Sequence, residues 1–138
     1  MEYHDCERCR GKAVGLAHIG VYVTDLPAME AFLKDKLGFA ERGRSQRGET
    51  ELVFLDLGNC PIELIYNPRN EKRTGGMIEH ICLEVKDIDS LVCQLDKKGV
   101  KFLQERVGDM PDLLGGVKNI FLEGPEGLKL EFFEYYKK

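Results

Sequence analysis

The polar and apolar positions of the chain fall into two similar cycles of strand and helix. Residues 16–23 alternate, with Ile19, Val21 and Val23 on one side and His18, Gly20 and Tyr22 on the other, which predicts a strand. Asp25 is placed to cap a helix, and Pro27 falls in its first turn. Leu26, Met29, Phe32, Leu33 and Leu37 then recur at helical spacing as far as Gly38, a residue suited to end a helix. Three further strands are predicted at 40–45, 50–57 and 61–66. The cycle then begins again. Strand 78–85 sets Ile81, Leu83 and Val85 against His80, Cys82 and Glu84, and Asp87 is the next cap. Ile88, Leu91, Val92 and Leu95 form one helical face, Gly99 ends it, and strands follow at 101–107, 116–122 and 128–136.

The two cycles are copies. Ala17-His18-Ile19-Gly20-Val21-Tyr22-Val23 lines up with Glu79-His80-Ile81-Cys82-Leu83-Glu84-Val85 at an offset of 62 residues. Near the end of each copy one carboxylate interrupts an apolar run, Glu63 between Ile62 and Leu64, and Glu131 between Leu130 and Phe132. There the offset is 68, so the second copy carries six extra residues, expected in a loop at 108–116. Each copy reads as βαβββ. The expected fold is α+β, with tandem βαβββ modules forming a curved mixed sheet around a metal-binding cleft. The expected organisation is an N-terminal extension at 1–13 and one domain at 14–138, with repeats near 14–67 and 77–136.

Composition narrows the function. The chain has 138 residues, 43% of them hydrophobic, enough for a core without disulfide staples. With 20 basic and 24 acidic residues its net charge is −4, a poor balance for nucleic acid. The longest uncharged run, residues 13–24, is far short of the ~20 apolar residues that span a bilayer. The polar opening MEYHDCERCRGK has no apolar export core, so the expected location is the cytoplasm, with thiols reduced and no membrane partner. Cys60 and Cys82 read as small core residues, and Cys6-x-x-Cys9 as part of an exposed tail.

Candidate chemistry lies in the repeat. His18 and His80 share a phase in equivalent strands, and both should look away from the helices into the cleft. Glu63 and Glu131 are carboxylates among large apolar residues, and such groups are rarely buried unless paired or metal-bound. A lone histidine or glutamate in a strand is usually an ordinary cleft or edge residue. The same two types recurring once per copy point instead to a mixed N/O site. Its metal would be divalent, Zn, Ni or Co first, with Fe or Mn also compatible.

These residues resemble the vicinal oxygen chelate superfamily, also called the glyoxalase/bleomycin-resistance/dioxygenase fold, over about residues 16–136. The resemblance implies a metal-dependent enzyme with His18, Glu63, His80 and Glu131 as ligands. Glu63-Leu64-Ile65-Tyr66-Asn67 resembles a stretch of bacterial lactoylglutathione lyase (glyoxalase I) in which Asn contacts glutathione. Gly124-Pro125-Glu126-Gly127 with Leu130-Glu131 resembles that enzyme's closing segment. The openings at His18 and His80 are similar to those of methylmalonyl-CoA epimerase. One departure stands out: the lyase carries Arg four residues after its first histidine, where this chain has Tyr22. Asn67 and Tyr22 are therefore the candidate substrate contacts.

The resemblance implies a lyase/isomerase that removes a proton next to a carbonyl and forms a metal-stabilised enediolate. Glu131 is the favoured base and Glu63 the second carboxylate. The substrate class is a small molecule, either a thiol adduct of a 2-oxo compound or a CoA thioester. An epimerase is the main alternative. An Fe(II) dioxygenase using His18, His80 and Glu131 is opposed by the fourth ligand, Glu63. A metal-free drug-sequestering protein would have no use for four matched ligand types. In relatives a second chain often completes the cleft, which implies a homodimer whose sites combine His18/Glu63 of one copy with His80/Glu131 of the other. A site enclosed by one chain is the alternative. Arg42, Arg44, Arg47, Arg69 and Lys72 are expected to be solvated loop charge, though an anionic substrate could use them.

Overall fold

A computed structural model describes residues 17–73, 76 and 78–137. The extension at 1–13, with Cys6 and Cys9, lies outside the described residues.

The first module runs β1 (Ile19–Val23), α1 (Leu26–Ala31), β2 (Ala40–Arg47), β3 (Thr50–Asp56) and β4 (Ile62–Tyr66). Helix α1 widens at Phe32–Lys36 into one π-helical turn, and Gly38 at φ 80° ends it. The second module runs β5 (Ile81–Glu84), α2 (Ile88–Lys97), β6 (Lys101–Phe102), β7 (Gly108–Met110), β8 (Val117–Glu123) and β9 (Lys129–Tyr135), with Gly99 at φ 81° after the helix. The modules form two separate mixed sheets, ordered β1-β4-β3-β2 and β5-β9-β8-β6, with β7 also paired to β8. In each sheet the first strand lies at an edge and runs parallel to the last. A parallel pair needs a long crossover, and the helix with the two following strands supplies it.

One strand expectation is corrected. The strand expected at 101–107 is only the two-residue β6, and a further short strand, β7, follows it at 108–110; both are antiparallel to β8. The ladder breaks at Gln104, whose side-chain oxygen accepts the Phe121 N–H at 2.7 Å in place of a backbone carbonyl. The expected loop at 108–116 thus opens with strand β7, and a turn carries the rest.

The helix-facing residues follow the alternation. Val23, Ile62 and Leu64 of the first sheet and Ile81, Leu83, Leu130 and Phe132 of the second are buried. They join Leu26, Met29, Leu33, Ile88 and Leu95 of the helices in one continuous cluster shared by both modules. The two modules are also tied by polar contacts. Glu126 reaches across to the start of α1, where its Oε1 accepts the Thr24 N–H at 2.7 Å and the Thr24 hydroxyl at 2.6 Å. Its Oε2 accepts the Asp25 N–H at 3.0 Å. Glu134 closes α2 in the same way, accepting from Asp87 at 2.6 Å and Ile88 at 3.1 Å. Both carboxylates satisfy amides that a helix start leaves unpaired, and both sit where its dipole is positive.

Gly124 lies against the Phe32 ring, where a Cβ would come within 3.0 Å of ring carbon. No described helix is long and apolar enough to cross a membrane.

Two outcomes are expected. Phe132→Ala removes a fully buried ring from the shared core and should cost about 3–5 kcal/mol in urea unfolding. Burial pushes the Glu126 carboxyl up, but hydrogen bonds from Thr24 and Asp25 outweigh it and hold the pKa below the usual value of 4.5. A group lowered in the folded state stabilises above its unfolded value, and that stability is lost as pH falls through the folded value. Wild-type protein should therefore lose stability below the usual glutamate value more steeply than Glu126→Gln, as measured by thermal unfolding across acidic buffers.

Candidate functional site

The geometry of the four predicted ligands follows from strand register. Gly20 pairs with Glu63 across β1 and β4, and Cys82 pairs with Glu131 across β5 and β9. Each histidine lies two residues before the paired position, so it shares the carboxylate's face, away from the helices. The imidazole Nε2 of His18 stands 3.4 Å from Glu63 Oε1, and that of His80 stands 3.1 Å from Glu131 Oε1. Each ring packs edge-on against a phenylalanine opposite the glutamate: His18 on Phe54 at 5.6 Å and His80 on Phe121 at 5.2 Å. The same His–Glu–Phe group is thus built twice.

The two groups differ in their supports. Asn119 donates from Nδ2 to Glu131 Oε2 at 3.0 Å, leaving Oε1 turned toward His80. Nothing in the sequence pattern flagged Asn119; its signal is the position on β8, two residues before Phe121 and on the same face. Glu131 is buried and Glu63 half-buried. Cys82 is exposed, which corrects its reading as a core residue. Its position alternates away from Ile81 and Leu83, so it lies beside Glu131. Partial withdrawal of the thiol from water, followed by the Glu131 carboxylate beside it, pushes its pKa up to about 12.

The four ligands meet as two pairs and not as one cluster. No group of three or more metal-ligating side chains gathers among the described residues. His18 lines a shallow pocket with Arg42, Phe54 and Pro61. His80 lines a different cavity of about 340 Å³ between the modules, bordered by Tyr22, Arg73, Ile78 and Lys129. The physical reason is topological: each pair belongs to its own sheet, and the modules meet through their helix-side core.

Tyr22 borders the larger cavity, half exposed, with the Arg73 guanidinium 4.2 Å above its ring. Asn67 ends β4 and forms a turn. Its Oδ1 accepts the Arg69 N–H at 2.9 Å, and its Nδ2 donates to the Thr50 hydroxyl at 3.0 Å. Several arginines expected to be solvated are paired. Arg42 binds the buried Asp56 at 2.7 Å, and the Gly58 amide first, with Arg42 and the Cys60 amide, holds that carboxyl below its usual range against the effect of burial. Arg44 bridges Glu30, Glu41 and Glu51, and Arg69 binds Glu49 at 2.6 Å.

Comparison with known proteins agrees with this architecture. A Bacillus subtilis protein, YwbC, is 32% identical over 122 residues, 85% of this chain and 94% of its own. Human mitochondrial methylmalonyl-CoA epimerase is 32% identical over 102 residues, 67% of this chain, and the match spans 58% of the epimerase. The fold of Leishmania major glyoxalase I superposes with a TM-score of 0.71 at 23% identity, covering 88% of this chain and 87% of that one. The model of the Glyoxalase/Bleomycin resistance protein/Dioxygenase superfamily matches residues 17–112, and the chain belongs to that superfamily.

Proposed function

We propose that the protein is a metal-dependent lyase/isomerase of the glyoxalase I type, acting by proton transfer at carbon next to a carbonyl. The observation that carries this reading is the duplicated His–Glu pair, each with an imidazole nitrogen and a carboxylate oxygen within 3.4 Å and 3.1 Å. That donor chemistry fits a divalent cation such as Zn, Ni or Co, with Fe or Mn compatible. His18, Glu63, His80 and Glu131 would hold it. When bound, the metal supplies Lewis-acid polarisation of a carbonyl oxygen, which acidifies the neighbouring C–H.

The chain's own groups do the rest. Phe54 and Phe121 fix the imidazole rings, and Asn119 holds one oxygen of Glu131 so that the other faces the site. In this reading Glu131 takes the proton from the substrate carbon, and Glu63, brought opposite by assembly, returns one from the other side. Tyr22 and Asn67 are the proposed substrate contacts. The cavity beside His80, with Tyr22 and Lys129 at its border, has room for a small thiol adduct or the acyl end of a CoA thioester.

The two pairs lie on different sheets of the chain, which supports a site shared between two copies, with a site enclosed by one chain as the alternative. In the homodimer each of two sites takes His18 and Glu63 from one chain and His80 and Glu131 from the other. A second reading, an epimerase of methylmalonyl-CoA type, is favoured by Tyr22 at the lyase's arginine position and by the 32% identity to the human epimerase. Both readings share the proton-transfer chemistry, so the substrate decides between them.

Metal-loaded protein assayed on the methylglyoxal–glutathione hemithioacetal, on methylmalonyl-CoA and on a catechol should turn over one of the first two. Turnover of the catechol alone would overturn the proposal. His80→Ala should leave a folded chain that retains no metal by elemental analysis, since the ring lies outside the core. Stoichiometric metal in that variant would refute the ligand assignment. Light scattering should give a dimer with two metals; a monomer holding one metal would refute the shared site.

A further inference from the structure

The cavity between the modules has a charge pattern of its own. Among the described residues, Arg73, Glu79, Glu126 and Lys129 bring ionic groups to its wall. Three of them are already matched. Glu126 accepts hydrogen bonds from the Thr24 hydroxyl and from the Thr24 and Asp25 amides. Glu79 accepts one from Lys129 Nζ at 2.6 Å, so that carboxylate and that ammonium offset each other. Arg73 forms no ion pair with another described residue. Its guanidinium lies 4.2 Å over the Tyr22 ring instead.

Tyr22 belongs to strand β1, so the ring is a platform carried by the sheet. An aromatic face attracts a guanidinium without offering it an oxygen acceptor, and the N–H groups remain for a ligand. The rest of the wall is largely apolar, with Ile19, Val21, Ile78 and Leu128. Ile78 is 75% exposed, more than any other large apolar side chain among the described residues. An apolar wall with one unmatched cation suits an organic anion. A guanidinium takes a carboxylate through two parallel N–H···O bonds. The cavity volume of about 340 Å³ is small beside the roughly 300–1,000 Å³ of ligand pockets in general, so the anion is a small acid.

We propose that Arg73, steadied on Tyr22, binds the carboxylate of a small apolar acid in this cavity. The proposal deepens the function above and rests on it in one respect, that the acid is the acyl end of the substrate. Of the two substrates considered there, the methylmalonyl thioester carries a carboxylate on its reacting carbon. The methylglyoxal hemithioacetal has none at its acyl end. Binding of the acid itself requires neither metal nor turnover.

Chelator-treated protein, with no metal present to draw a carboxylate, is titrated with isobutyrate and with its neutral counterpart isobutyramide, and followed by backbone amide NMR. Wild type should bind the acid about tenfold more tightly than the amide, with shifts centred on residues 19–22 and 78–81. Arg73→Ala should bind the two equally. Arg73→Lys keeps the charge without the paired donors and should recover part of the preference. Tyr22→Leu removes the ring face and should weaken acid binding several-fold with the amide unchanged. Arg73 and Tyr22 are both exposed, so these variants should fold as wild type does. Equal binding of acid and amide to wild type, or binding of neither, would overturn the proposal. So would a preference that survives Arg73→Ala, which would assign the anion to Lys129. An Arg73-dependent preference in a protein that turns over neither proposed substrate would remove the proposed activity and leave the anion site standing.

Discussion

The parallel pairing of the first and last strand in each module is the constraint from which the rest follows. It sets Gly20 beside Glu63 and Cys82 beside Glu131, and a histidine two residues upstream then shares the carboxylate's face. The helix and the two intervening strands complete the crossover, cover the opposite face and supply the phenylalanine that steadies the ring. Because the pairing is local to each sheet, it makes two separate histidine–glutamate pairs.

Much of this was legible from the chain because strand alternation is a strict rule. Once Ile19, Val21 and Val23 are assigned to the core, His18 and Tyr22 have only one other face to occupy. The repeat then carries the assignment to His80 without further argument. The two helix stops at Gly38 and Gly99 were equally readable, since each takes a positive φ that other residues adopt only with strain.

What could not be read depends on contacts between distant residues. Alternation says which face a side chain takes but not which faces meet, so the separation of the two histidine–glutamate pairs onto two sheets came only with the structure. Glu126 lies about a hundred positions from the helix start it closes, and no local pattern announces it. Gln104 splits a strand by offering a side-chain oxygen to a backbone N–H, an exchange that propensity does not record. Asn119 is an ordinary polar residue in sequence, and it acquires meaning only from Glu131 across the sheet. Asn67 is a milder case. Its place in a glyoxalase-like stretch suggests a ligand contact, while both ends of its amide also serve a turn.

The register partner of each glutamate has a consequence for how the two halves have diverged. Beside Glu63 stands Gly20, where even a methyl group would come within 3.2 Å of Ile65 and 3.5 Å of the carboxylate. Beside Glu131 stands Cys82, and behind it Asn119, whose counterpart across the first sheet is Leu52. The two modules keep one architecture with unequal detail: Glu131 has a thiol and an amide beside it, and Glu63 has neither. The molecule thereby contains its own twin for comparison, and whatever distinguishes the behaviour of the two carboxylates must lie in the few neighbours that the copies do not share.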